Sequence, residues 1–197
     1  LSTVQNEDLK VISDEITRID RIVQNFLEFA RPPKLRLEVC HLGDVIHSVQ
    51  SLLEYRLKAY NVEVHYTHRP ELPPVRADAD RIKEALVNLL INACEAMETG
   101  GQISIVESRG RDPELGEIAI ITVSDSGPGI PPAIIDKVVT PFFTTKEEGS
   151  GLGLSIVARI AREHHGKFII SPAPVRGAEC ILQLPVKGRG HESHPDN

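Results

Sequence analysis

Between Asp125 and Leu154 the chain carries three short motifs that leave its backbone little choice. They are DSGPGI at Asp125–Ile130, PFFTTK at Pro141–Lys146 and GSGLGL at Gly149–Leu154. Asp125 follows an apolar β-type run, Ile118–Val123, which places it at the C-terminal end of a strand. Gly127 and Gly129 then allow a sharp turn and a close approach of backbone to a ligand. Gly149, Gly151 and Gly153 repeat the device and lead straight into a helical pattern over Leu154–His165. A glycine-rich helix entry offers unpaired N–H groups at the positive end of the helix dipole, which together make an anion site. A carboxylate beside one turn and an anion cradle at the other suit a ligand with a polar head and a phosphate tail, such as a nucleotide. The second cluster is not GxxxxGK[ST], and it does not close a βαβ unit with an acidic residue about 20 positions on, which argues against a Walker-type or dinucleotide site.

The rest of the chain supports one globular domain with a short appendage. It has 197 residues, 41% apolar and 25% charged, with a net charge of -6. That charge argues against a nucleic-acid partner, as does the absence of Trp. Neither an apolar run of membrane-spanning length nor a signal peptide is read, so any membrane attachment is expected from segments upstream. Cys40, Cys94 and Cys180 fit no metal spacing and read as buried thiols of a reducing compartment, which here means the cytoplasm.

Leu9, Ile12, Ile16, Ile19, Val23, Phe26 and Ala30 recur at alternating intervals of three and four, a heptad seam. Pro32-Pro33 ends that helix. It is expected either to join a dimer bundle whose other helix lies upstream of Leu1 or to fold back on the domain. Strands are read at Leu35–Cys40, Val62–Tyr66 and Val75–Ala77. Leu42–Ala59 reads as an amphipathic helix with Val45, Ile46, Val49, Leu52, Leu53 and Leu57 inward. Gln102–Ser108 and Ile118–Val123 read as a hairpin, and Lys167–Ser171 and Ala178–Pro185 as two further strands. Gly166 is expected to cap the helix Leu154–His165, and His164-His165 to favour its dipole. The polar tail from Lys187, with His191 and His194, reads as frayed.

The helix Ala79–Glu98, N-capped by Asp78, is the second informative element. Ile82, Leu86, Leu89, Leu90, Ala93 and Met97 form its core face. Glu84, Asn88, Asn92 and Glu95 form one polar stripe. Asn is a poor helix-interior residue. Two of them one turn apart are either a ligand set for a hard cation such as Mg²⁺ and phosphates, or a solvated face bonded to a neighbouring loop.

Taken together, Asn-x-x-x-Asn on a helix, DxGxG, a Phe-Phe pair and GxGLGL resemble the four ordered boxes of sensor histidine kinases of two-component systems. The phrasing NLLINACEAM and PFFTTKEEGSGLGLSIV is most similar to the nitrogen-regulation (NtrB-like) branch, and EITRIDRIVQNFLEFAR resembles the second helix of its dimerisation and phosphotransfer domain. The resemblance covers Asp14 to about Pro185. It implies an α+β Bergerat-type two-layer α/β sandwich, a mixed, mostly antiparallel sheet with helices on one face, preceded by one long bundle helix. Residues 1–31 would be part of the dimerisation bundle, 32–187 the ATP-binding domain and 188–197 a tail. The resemblance assigns Asp125 to the adenine amino group, with Gly127, Gly129 and Ile130 beneath the base. Asn92 would hold Mg²⁺, with Asn88 beside it near the phosphates. Thr144, Thr145 and Lys146 would belong to a lid, and Gly149, Ser150, Gly151, Leu152, Gly153 and Leu154 would cradle the phosphates of ATP. The implied activity is phosphorylation of a His on the dimerisation domain of a homodimer, followed by transfer to an Asp of a response regulator.

Two departures matter. Many relatives carry Lys or Arg three residues after the second Asn, where this chain has Glu95, so Lys146 or Arg81 would have to compensate. No His precedes His41, so the phosphoacceptor is expected upstream of Leu1, and this chain alone is expected to bind ATP without autophosphorylating. Two rival readings keep the fold: a gyrase- or MutL-type ATPase acting as a dimer switch, and a non-catalytic nucleotide-binding partner. The ATPase reading needs a Glu base on the Asn helix, but Asn88 stands one turn before Asn92.

Overall fold

The computed structural model describes residues 34–68, 72–146, 149–173 and 175–186, together with Leu9, Ser13 and Ile16. The chain divides into two units, Leu1–Lys34 and Leu35–Asn197. In the first, Leu9, Ser13 and Ile16 are helical. The remainder of the heptad seam, Pro32-Pro33, Pro70, Lys187 and the tail with His191 and His194 lie outside the described residues.

The second unit begins with β1 (Glu38–Cys40), α1 (Leu42–Ala59), β2 (Val62–Thr67), β3 (Val75–Ala77) and α2 (Ala79–Ala96). It continues with β4 (Gly101–Asp112), β5 (Gly116–Asp125), a 3-10 turn (Pro132–Ile134), α3 (Gly153–Glu163), β6 (Lys167–Pro172) and β7 (Ala178–Pro185). β1 and β3 form a small antiparallel ribbon. The other five strands form one sheet in the order β2-β4-β5-β7-β6, parallel only between β2 and β4. The three helices pack against it, which makes the mixed, mostly antiparallel two-layer sandwich implied by the resemblance.

Period-two alternation fixes the buried side of the sheet. Ile103 and Ile105 on β4, Ala119, Ile121 and Val123 on β5, and Leu182 and Leu184 on β7 are all at most 3% exposed, while most of the residues between them are half-exposed. Each such Ile or Leu stabilises by roughly 1.5–3 kcal/mol. Exposed ion pairs contribute about 0–1 kcal/mol each, so this stripe is what holds the layers together. The pairing of Ile103 with Asp125 continues the stripe, which puts Asp125 on the helix-facing side at the sheet's last rung. Glu107 is the polar exception. It is 1% exposed and bonded to His68 Nδ1, and burial, then the Glu107 charge, pushes the Tyr66 hydroxyl above its usual range.

Four expectations are corrected, the last of them at His164. Leu52 is 60% exposed, because it falls at the edge of the stripe whose centre is Ile46, Val49 and Leu53. The first strand is Glu38–Cys40 rather than Leu35–Cys40. Gly166 is not the left-handed cap of α3. His165 takes that conformation (φ 56°), and Gly166 N donates to Ala161 O at 2.8 Å beyond it. Gly166 is required for space: a Cβ there would overlap the Gln183 carbonyl oxygen of β7.

His164 does not serve the helix dipole as a cation. It is 4% exposed, its Nδ1 donates to Ile160 O at 2.8 Å, and its Nε2 accepts from Asp78 N at 2.9 Å. The end of α3 is thereby tied to the N-cap of α2, whose own Oδ1 accepts from Arg81 N. Burial holds the imidazole below its ordinary pKa. A His with a depressed folded pKa adds stability above the unfolded value of about 6.5 and loses it as pH falls through that value towards the folded one. The expected outcome is a stability gap between the parent and His164→Asn that is largest above pH ~6.5 and narrows below it, by at most about 1.4 kcal/mol per pH unit. Urea midpoints measured from pH 8 to 5 check this, and a gap independent of pH would refute it.

Candidate functional site

The turn after β5 is built on one carboxylate oxygen. Asp125 Oδ1 accepts from Gly127 N at 2.8 Å and from Ala178 N at 3.3 Å. Oδ2 accepts from no described donor. Two close contacts seat this turn. A Cβ on Gly127 would lie 2.9 Å from Asp125 Oδ1, 3.3 Å from Met97 Cγ and 3.4 Å from Ala96 O, so the turn rests on the C-terminal end of α2. Gly177, in the turn between β6 and β7, has φ +101°, and a Cβ there would overlap the Asp125 carbonyl oxygen. A Cβ on Gly129 would in turn lie 2.9 Å from Gly177 O.

One and two turns back along α2 stand Asn92 and Asn88. Asn88 Nδ2 donates to Glu84 O at 2.9 Å, which leaves its carbonyl oxygen as the outward group. The Asn92 side chain makes no hydrogen bond to a described residue. The start of α3 presses on both. A Cβ on Gly153 would lie 2.8 Å from Asn92 Nδ2, 3.3 Å from Asn92 Oδ1 and 3.4 Å from Asn88 Oδ1. The N-cap of α3 is Leu152, an apolar residue that cannot cap and is 1% exposed. Ser155 Oγ donates back to Leu152 O at 2.8 Å rather than accepting from the first turn. The first-turn N–H groups of α3 therefore stand uncapped beside two Asn carbonyls, a pairing of anion donors with hard-cation acceptors.

The strap Pro141–Lys146 closes this edge. Phe142 N donates to Gly151 O at 2.9 Å, and a Cβ on Gly151 would overlap the Phe142 carbonyl carbon. Thr144 Oγ1 accepts from Lys146 N at 3.1 Å and sits where a Cβ on Gly149 would fall. Ser150 Oγ accepts weakly from Leu152 N, at 3.4 Å. Lys146 Nζ donates to Glu95 Oε2 at 2.8 Å, and Arg81 pairs with Glu84 at 2.5 Å.

The structure thus groups Asn88, Asn92, Gly149, Gly151, Gly153, Leu152, Ser150, Thr144 and Lys146 on one side of α2. Gly127, bonded to Asp125, lies against its C-terminal end, and Gly129 rests on Gly177. Leu154, the second residue of α3, is half-buried against the core. Thr145 is exposed and Ile130 half-buried, and neither is tied to α2 by a described hydrogen bond. Gly177 went unread in the sequence, where it looks like an ordinary turn glycine. The three cysteines are free, and burial raises each thiol's pKa, that of Cys180 to about 12 with Asp125 adding to it. That leaves them poor nucleophiles. The described residues contain no group of three metal-ligating side chains and no helix long and apolar enough to cross a membrane.

The profile of the family described as "Histidine kinase-, DNA gyrase B-, and HSP90-like ATPase" matches residues 77–188, more than half of the chain. The chain is 34% identical over 185 residues to the sensor histidine kinase ZraS of Salmonella typhimurium, a match covering 93% of this chain and 39% of ZraS. It is 36% identical over 177 residues to sporulation kinase D of Bacillus subtilis, covering 89% of this chain and 34% of that protein. The chain therefore spans under half the length of these curated relatives. Among solved structures it resembles full-length ShkA in complex with AMPPNP, with a TM-score of 0.79, 25% identity, and 94% of this chain and 39% of that chain covered. It also resembles the histidine kinase ThkA in complex with the response regulator TrrA, with a TM-score of 0.77, 29% identity, and 94% and 52% covered. The chain belongs to the histidine kinase-, DNA gyrase B- and HSP90-like ATPase family, as a histidine-kinase-type ATP-binding domain.

Proposed function

We propose that this chain binds ATP with Mg²⁺ and presents the γ-phosphoryl group to a His imidazole of a dimerisation domain, from which it passes to an Asp of a response regulator. The observation that carries the reading is the contact of Gly153 with Asn92 and Asn88, which joins the helix-start amides to two amide oxygens on a rigid helix. In this reading Asp125 Oδ2 accepts from the adenine amino group, while Gly127 and Gly129, with Ile130 next in line, shape the floor of the base pocket. The uncapped amides of Gly153 and Leu154, with the Gly149–Leu152 backbone, bind the phosphates. Thr144, Thr145 and Lys146 cover them. Asn92, with Asn88 beside it, would hold Mg²⁺, which offsets the charge of the β- and γ-phosphates when bound. Phosphoryl transfer is mostly positioning and charge neutralisation, and in this reading both tasks fall to backbone and amide groups.

In the intact protein, residues 1–31 would be part of a homodimer bundle, residues 32–187 would be the ATP-binding domain, and the domain would face the cytoplasm. An ATPase acting as a dimer switch is the weaker reading. It needs a carboxylate base on α2, whereas Glu84 is paired with Arg81 and Glu95 with Lys146.

Calorimetric titration with a non-hydrolysable ATP analogue tests the proposal. Binding in Mg²⁺ is expected to weaken roughly tenfold or more in EDTA, since a hard-cation contact to phosphate is charge-assisted. Adenosine should bind equally in both. No binding of the analogue in Mg²⁺ would overturn the reading.

A further inference from the structure

The ion pair between Lys146 and Glu95 joins the strap to α2 at 2.8 Å, with the two side chains 39% and 34% exposed. Glu95 stands three residues after Asn92 on the same polar stripe of α2, so the two side chains are neighbours on one helix face. On the strap side, Lys146 N donates to Thr144 Oγ1, and Thr144 abuts Gly149, so the root of the lysine is fixed close to the second glycine cluster. Arg81, also on α2, is engaged by Glu84 about three turns before Glu95.

We propose that Glu95 sets the affinity of this site for phosphate-bearing ligands. It holds Lys146 when no phosphate is bound and yields it to phosphate on binding. The proposal rests on the nucleotide reading above and deepens it. A polyphosphate entering beside Asn92 meets two costs at Glu95: the existing pair must be exchanged, and the carboxylate remains as a like charge nearby. Both costs scale with the ligand's negative charge and vanish for a neutral nucleoside. Glu95 therefore works as a charge-discriminating residue, and it lowers affinity for ATP more than for ADP, with no effect on adenosine.

The test is calorimetric titration of the parent, Glu95→Gln, Lys146→Gln and the double variant with ATP analogue, ADP and adenosine in Mg²⁺. An exposed pair of this kind is worth a factor of about two to five, and removal of the like charge adds to it. Glu95→Gln is expected to bind the ATP analogue about three- to tenfold more tightly, ADP less so, and adenosine unchanged within about twofold. Lys146→Gln should cost more in the Glu95→Gln background than in the parent, because only there is the lysine already free for phosphate. Glu95→Ala repeats the measurement should the Gln amide re-form a hydrogen bond to Lys146. A parent that binds ATP together with Glu95 variants that bind it no more tightly, or that shift adenosine equally, overturns this proposal alone. A parent that binds no ATP overturns the nucleotide reading and this proposal with it.

Discussion

Replacing Asp125 with asparagine is expected to weaken ATP binding about 100-fold while leaving the domain folded. Among the described residues only one oxygen of Asp125 is used, Oδ1, which accepts from Gly127 N and Ala178 N. An Asn side chain keeps that oxygen in place. What it changes is the other atom, from an acceptor to an N–H₂ that would face the adenine amino group donor to donor. A lost bond to a charged acceptor costs roughly 1.5–3 kcal/mol. Sites built to pair a polar group discriminate strongly against a mismatched one. Calorimetry with ATP analogue and with tripolyphosphate checks the prediction, alongside a urea titration. Affinity for tripolyphosphate should be unchanged, and equal losses for both ligands would move Asp125 away from the base.

Gly177→Ala is expected to destabilise the domain by roughly 2–4 kcal/mol. Two costs combine here. Gly177 has φ +101°, a region that L side chains rarely adopt, and its Cβ would overlap the Asp125 carbonyl oxygen. Gly116 separates them. It has φ +76° at the hairpin between β4 and β5, with nothing within 4 Å of a built Cβ. Gly116→Ala should therefore cost only the backbone term, about 1–2 kcal/mol. Urea unfolding of both variants gives the difference. Equal losses would mean that the contact with Asp125 yields easily and that Gly177 is needed for conformation alone. Because the overlap falls on Asp125 itself, Gly177→Ala should also weaken ATP binding.

What the sequence shows of this fold is whatever repeats locally. α1 spans Leu42–Ala59 in the structure as its 3.6-residue period indicates, and β3 and β7 fall on their apolar runs. Asn88 and Asn92 were visible as anomalies, poor helix formers one turn apart among leucines. Their spacing alone could not separate a ligand set from a solvated face, and the contact with Gly153 is a tertiary fact. Other parts were not legible because their partners are remote. His164 bonds a backbone N–H 86 positions away. Gly177 meets Asp125 across a sheet edge, yet in sequence it is one glycine in a turn. β2 alternates as any half-buried strand does, and alternation carries no sign of its parallel pairing with β4. What Gly166 supplies is small volume rather than conformational range, a distinction visible only once Gln183 is in place.

The two ends of α3 are fastened to α2, Gly153 against Asn92 at one and His164 on Asp78 at the other, so the helices run antiparallel as a clasped pair. The spacing between the first-turn amides of α3 and the two asparagines is therefore preorganised by folding. An incoming nucleotide spends little ordering entropy on this wall of its pocket, and whatever it must order is concentrated in the strap. Hydrogen exchange should divide accordingly: amides of α2 and of α3 beyond its first turn keep the same protection with and without ATP, while those of Phe142–Lys146 gain protection on binding.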